Sequence, residues 1–214
     1  LDARKMDGSA FIAHTARYDD NRFVLLEDKP DGHGLEGYLF PDTYRIFKSA
    51  PPEDLITKIM ENLEKKFTPE LRESVRLQNK TIFEIITMAS LIENEVVSDA
   101  DRALVSGILW KRLSIGMPLQ VDATIAYIKK TKGMVNNTRG AISREDTKID
   151  SSYNTYRYRG LPAGPIGNPG LSAITAAVYP KSSPFFYYLS TPEGRTIFSK
   201  TLEEHNTAKA EYLK

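Results

Sequence analysis

Residues 81–97, TIFEIITMASLIENEVV, decide how the rest of the chain is read. Thr81 followed by Glu84 is a capping box, so a helix starts here with its first donors satisfied. Ile85, Met88, Ala89, Ile92 and Val96 recur at helical spacing and form one apolar stripe. Glu95 interrupts it, three residues after Ile92 and four after Leu91, on the edge of the face due for burial. A carboxylate packed against apolar groups loses water, which favours its protonated form and raises its pKa. A general acid working near neutral pH requires that property. Glu93 lies two residues earlier, roughly 200° round the helix, so the two carboxylates point into different surroundings. On periodicity alone the commoner reading of Glu95 is structural, a rim residue paired with an arginine such as Arg102 or Arg112.

The flanks of this stretch also read as helices. Residues 51–67 place Leu55, Ile56, Ile59, Met60, Leu63 and Phe67 on one face. Thr68-Pro69 then supplies a cap and a first-turn proline for a shorter helix to about Leu77. On the other side Ser98 stands as N-cap, with Asp99 and Asp101 in the positive first turn. This helix turns Val105, Ile108, Leu109 and Leu113 inward and ends at Gly116; Trp110, the one tryptophan, reads as core. Asp122 is placed to cap a short helix, and Gln120 precedes it as a loop amide. Ser143 with Asp146 caps a further short turn.

Further out, residues 23–26 read as a strand, and Asp31-Gly-His-Gly as a turn. Leu35-Glu-Gly-Tyr-Leu-Phe-Pro-Asp-Thr-Tyr44 reads as extended, because Pro41 lacks a donor and restricts Phe40. Its aromatics Tyr38, Phe40 and Tyr44 suit either core packing or a sugar-lined cleft. Residues 160–170, GLPAGPIGNPG, hold seven Gly or Pro among eleven, which excludes helix and central strand. Tyr153, Tyr156, Tyr158, Leu161 and Ile166 lie in and before it, so it reads as a packed loop of the kind that carries binding groups. Asn168-Pro169 opens a helix to Val178, residues 185–190 and 196–199 make a hairpin, and Thr201 with Glu204 forms a second capping box.

Composition bounds the function. The chain has 214 residues, 41% hydrophobic and 27% charged, enough to build a core. A net charge of +1 gives no argument for nucleic acid as partner, and no basic run suggests a membrane surface. There is no cysteine, which excludes disulfides and thiol nucleophiles. No apolar run approaches a membrane span or a signal peptide. The opening LDARKMDGSA has no initiator methionine, and we read it as an excised piece whose anchor or signal lies outside it. Glycine-rich phosphate loops and GxSxG elbows are missing. His14, His33 and His205 lack metal-ligand spacing, so neither a metal nor a cofactor is expected. Carboxylate chemistry among aromatics and amides remains, the equipment for cleaving glycosidic bonds.

Five separated motifs resemble those of the MltG (YceG-like) endolytic murein transglycosylases. They are Leu35-Glu-Gly-Tyr-Leu-Phe-Pro-Asp-Thr-Tyr, Ala89-Ser-Leu-Ile-Glu-Asn-Glu, Gly107-Ile-Leu-Trp-Lys-Arg-Leu with Gly116-Met-Pro-Leu-Gln-Val-Asp, Tyr153-Asn-Thr-Tyr through Gly160-Leu-Pro to Asn168-Pro-Gly, and a closing set of Tyr188, Phe198 and residues 201–206. The resemblance runs from about Leu35 to the C-terminus and reverses the structural reading of Glu95.

The resemblance implies an enzyme that cleaves peptidoglycan glycan strands internally, without water, leaving 1,6-anhydro-N-acetylmuramic acid ends. Glu95, second of the Glu-x-Glu pair, is the implied catalytic residue. Gln120, Asp122, Tyr153, Asn154 and Tyr156 fall in family motifs and are expected to line the cleft as substrate-binding residues. Peptidoglycan synthases are implied partners. The implied site of action is the extracytoplasmic face of the bacterial cell membrane, with an N-terminal anchor helix absent from this chain. The expected fold is α+β: a mostly helical catalytic domain over residues 35–214, with a small hairpin and a long ordered Gly/Pro loop, residues 1–34 being a remnant of a preceding region. Two rivals stand beside this reading. One is a hydrolase of the same bond with Asp122 as base, the other a non-catalytic glycan-binding scaffold for cell-wall synthases.

Overall fold

The computed structural model describes residues 8–18, 20, 22–47, 49–134 and 142–213. Among these the chain is a mostly helical α+β fold of eight helices and one two-stranded antiparallel sheet. The helices are α1 (Gly8–Ala16), α2 (Pro52–Lys66), α3 (Pro69–Leu77), α4 (Ile82–Glu95), α5 (Asp99–Ser114), α6 (Asp122–Thr131), α7 (Leu171–Val178) and α8 (Leu202–Tyr212). The strands are β1 (Tyr187–Ser190) and β2 (Thr196–Ser199), paired from Tyr187 opposite Ser199 to Ser190 opposite Thr196. No described helix is long and apolar enough to cross a membrane.

The stretch from Ile82 to Glu95 is the centre of the molecule. Every residue of α4 from Ile85 to Ile92 is buried, and α3, α5, α6 and α7 pack around it. The first amides of a helix find no partner within it. Thr81 and Glu84 supply partners reciprocally, Thr81 N–H to Glu84 Oε2 at 2.8 Å and Glu84 N–H to Thr81 Oγ1 at 3.0 Å. Asp28 completes the cap by accepting from the N–H groups of Ile82 and Phe83. Phe11, Phe23, Leu25 and Leu26 join the same core as α2 and α4; residues 1–7 lie outside the described residues.

Several local expectations are corrected. Residues 23–26 are not a strand. Val24–Leu26 is one 3₁₀ turn, since Phe23, Leu25 and Leu26 all face the core and, among the described residues, no strand lies alongside to pair with them. Ser98 occupies the N-cap position of α5, but its hydroxyl makes no capping bond. Thr201 does cap α8, while Glu204 reaches the Lys200 N–H instead of closing a box on Thr201. Tyr38 is fully buried and the Tyr44 hydroxyl donates to the Phe40 carbonyl, so these aromatics are core.

The 160–170 segment packs on α4, as the interleaved apolar residues implied. Ile166 is buried and its N–H donates to Ser90 Oγ at 3.0 Å. Asn168 does not cap α7, whose N-cap is Gly170. Its Oδ1 accepts from the N–H groups of Gly37 and Leu39, tying the loop to the 35–40 turn. Gly37 stands at φ +91°, and a Cβ there would lie 2.5 Å from Pro165 and 2.6 Å from Ile86. Only glycine admits that approach.

Candidate active site

α4 ends where the backbone of Val96 turns extended, so Glu95 is its last residue. Two physical consequences follow for that carboxylate. It sits at the negative end of a helix, where ionisation is disfavoured. It also faces β1, whose Tyr188 hydroxyl donates to Glu95 Oε2 at 3.0 Å, while the Ser190 hydroxyl donates to the Glu95 carbonyl at 3.1 Å. Burial is the largest influence and pushes the carboxyl up to about 7. The Tyr188 hydrogen bond pulls the other way, the negative charge of Asp122 adds to the rise, and the Ala123 N–H and the Arg112 cation oppose it. The Tyr188 hydroxyl is itself raised far above its ordinary value, by burial and by Glu95, so it stays a donor.

The arginine pairing expected of a structural glutamate belongs to Glu93. Arg102 Nη2 donates to Glu93 Oε1 at 2.9 Å, and Glu93 Oε2 accepts from the Gly170 N–H at 3.1 Å. Arg112 is 5% exposed and donates instead to the Phe186 and Leu119 carbonyls.

Glu95 stands where two cavities meet, of about 1050 Å³ and about 450 Å³, which share Asn94, Glu95, Asp122, Ser190 and Leu213. Glu36, Tyr127, Lys130, Ile166 and Asn168 help to line the larger, outer one. The smaller, inner one is closed by Arg112, Gln120, Tyr156, Tyr187, Tyr188 and His205. Four of the six expected site residues therefore converge: Glu95 and Asp122 at the junction, Gln120 and Tyr156 in the inner chamber. Gln120 adopts φ +52°, its N–H held by the Thr155 carbonyl, and its side chain is exposed.

Asp122 departs from the expected helix cap. It is the first residue of α6, Val121 is in the cap position, and no side chain caps this helix. The Asp122 carboxylate accepts from the Tyr156 hydroxyl, which burial and that same carboxylate hold above its ordinary pKa. A second carboxylate thus lines the cleft.

Tyr153 and Asn154 do not line either cavity. Tyr153 packs at 4.9 Å between ring centres on Tyr127, whose hydroxyl donates to Glu36 at 2.6 Å, so it buttresses the outer wall. Asn154 is 1% exposed and its amide is fully occupied by backbone. It donates to the Thr147 and Ile149 carbonyls at 3.0 and 2.7 Å, and accepts from the Tyr156 and Arg157 N–H groups. It fixes the turn that presents Tyr156. Sequence reasoning passed over Tyr188, Tyr127, Glu36 and His205 as site residues. For His205 a signal existed, since it shares one helical stripe with Leu202 and Lys209.

The arrangement can exchange a proton near neutral pH with a group held in the cleft, with hydroxyls and amides around it to orient a polar ligand. A model of the YceG-like family matches residues 4–211. The chain is 34% identical over 211 residues to the Endolytic murein transglycosylase of Bacillus subtilis (strain 168), covering 92% of this chain and 57% of that protein. It is likewise 34% identical over 212 residues to the Endolytic murein transglycosylase of Streptococcus pneumoniae serotype 2 (strain D39 / NCTC 7466), covering 98% of this chain and 38% of that one. The chain thus spans about half, or less, of the curated relatives it matches. The crystal structure of a yceG-like protein, lmo1499, from Listeria monocytogenes superimposes with a TM-score of 0.76 at 33% identity, covering 97% of this chain and 67% of that one.

Proposed function

The chain belongs to the YceG-like family, and from that premise we propose that it is an endolytic lytic transglycosylase of peptidoglycan, a carbon–oxygen lyase. The observation that carries the reading is the Glu95 carboxyl at the meeting of the two cavities, pushed up to about 7 and left without an ion-pair partner among the described residues. Glu95 donates its proton to the glycosidic oxygen between N-acetylmuramic acid and N-acetylglucosamine. Now ionised, it takes the proton of the muramoyl 6-hydroxyl as that oxygen closes on C1. The C1–oxygen bond to the leaving sugar breaks, a 1,6-anhydro ring forms, and Glu95 ends the cycle protonated as it began. Because the nucleophile belongs to the substrate, one carboxyl suffices. Tyr188 supports the ionised half of the cycle through its hydrogen bond. Gln120 and Tyr156 in the inner chamber contact the sugar, while Tyr153 and Asn154 act by holding the walls.

Asp122 gives a second reading one specific footing. A hydrolase places two carboxyl groups about the scissile bond, and Asp122 lines both cavities beside Glu95. Digestion of peptidoglycan in ¹⁸O-water separates the two. The transglycosylase gives products lighter than the hydrolysed species by one water and free of label, whereas label at the new reducing end would establish hydrolysis. We place the activity on the extracytoplasmic face of the cell membrane, held there by an N-terminal anchor in the full-length protein, with cell-wall synthases as its neighbours. Protease accessibility of the full-length protein in intact spheroplasts checks that location.

A further inference from the structure

The inner chamber holds groups that the scheme above leaves unused, and they lie on one wall. Leu202, His205 and Lys209 of α8, with Leu213 just beyond it, follow at intervals of three, four and four residues, which puts them on one helix face, and all four line this chamber. The Nδ1 of His205 is enclosed and meets no hydrogen-bond partner, and the His205 ring stacks on Tyr187 at 5.3 Å. Arg112 lies 5.1 Å from the centre of the same Tyr187 ring. Its Nε and Nη1 meet only backbone carbonyls. Among the described residues no carboxylate lies within ion-pair reach of Arg112 or Lys209. A cation withdrawn from water and met only by carbonyls is incompletely compensated, and an arriving anion completes it.

The opposite wall is acidic but largely spoken for. Asp122 accepts from the Tyr156 hydroxyl, and Glu95 accepts from Tyr188 and is raised towards neutrality. The chamber therefore has spare donors on the α8 side and engaged acids on the other.

We propose that this chamber is a subsite for a carboxylate-bearing substituent of the glycan, received by Lys209 and His205 from α8 with Arg112 beneath them. The inference rests on the glycan reading given above. In a peptidoglycan strand that carboxylate has two sources, the lactyl group of muramic acid when bare and the peptide extending from it.

The test uses the Glu95→Gln protein, to suppress turnover, titrated with three oligosaccharides of equal length. One is a chitooligosaccharide, which has no carboxylate; the second is a muramyl glycan with its lactyl carboxylate bare; the third is the same glycan bearing its peptide. Each titration is repeated with Lys209→Glu added, a change at an exposed position, and with His205→Gln added. Lys209→Glu is expected to weaken the carboxylate glycans about tenfold or more and to leave the chitooligosaccharide unchanged. The tighter of the two carboxylate glycans identifies the source. Equal weakening of all three, or no weakening of any, would overturn the inference. If the unmodified protein still cleaves peptidoglycan in that case, the inference alone falls. Absence of both cleavage and binding overturns the glycan reading and this one with it.

Discussion

Glu93 and Glu95 leave the same last turn of α4 and enter opposite environments. Glu93 reaches the side that carries α5 and the 160–170 loop, where Arg102 and the Gly170 amide donate to it. Glu95 reaches the hairpin, where a tyrosine hydroxyl donates to its carboxyl and burial favours the acid. The same functional group becomes a structural tie on one side and, in the proposed mechanism, a proton carrier on the other. The surroundings each carboxyl meets decide which, through dielectric and partner charge rather than through residue type.

Exchanging the two roles by mutation is the strongest way to break that comparison. Glu95→Gln is expected to lower turnover by about 10²–10⁴, because an amide of the same shape cannot exchange the proton. Full activity in a folded Glu95→Gln protein would end the proposed mechanism. The stability of the same variant carries a pH signature. Between the ordinary glutamate value of 4.5 and about 7 the folded protein holds a proton that the unfolded chain has released. Wild-type stability therefore falls as pH rises across that window, and Glu95→Gln removes the fall. Melting temperatures of the pair, measured from pH 4 to 8, should diverge in favour of the variant at the upper end.

Tyr188→Phe comes next in size. It removes the donor that favours the ionised state, so the alkaline limb of kcat/KM, set near pH 7 by Glu95, is expected to move to higher pH. Turnover falls about tenfold, the scale of one hydrogen bond to a charged group. A pH–rate profile identical to wild type would show that Tyr188 does not support Glu95. Glu93→Gln should do the reverse of Glu95→Gln: chemical denaturation loses about 1–2 kcal/mol as Arg102 and Gly170 lose their charged partner, while the pH profile stays in place. The smallest effect is expected of Asp122→Asn, which removes a negative charge that raises Glu95 and so shifts the alkaline limb to lower pH. A loss of turnover as large as that of Glu95→Gln would instead make Asp122 the base of a hydrolase.

How much of this was legible in the sequence follows from the range of each interaction. The cap and the apolar stripe of α4 involve residues three or four apart, and they were read correctly from spacing. The different directions of Glu93 and Glu95 also follow from helix geometry. Asp122 was misread because a local rule, acid at a helix start as cap, competes with Tyr156, 34 residues away, which the rule cannot see. Asn154 shows the opposite error. Its position in a motif suggested a ligand contact, yet its amide is taken up by carbonyls five and seven residues back, a turn-forming use that motif membership does not distinguish. Tyr188 could not be assigned to Glu95 by any pattern, since the pairing exists only once the hairpin has docked.

That docking has a temporal consequence. The Tyr188–Glu95 bond joins residues 93 apart, and the Asn168–Gly37 bond joins residues 131 apart. Closing such long loops costs entropy that local helix formation does not, so these contacts form late. On a ribosome the whole of α4 is made before the hairpin exists. A nascent chain that has not yet reached Tyr187 presents Glu95 to water, without the tyrosine and the wall that dry it. The wall and the hydroxyl that set the proton affinity of Glu95 thus reach it only once β1 has been made.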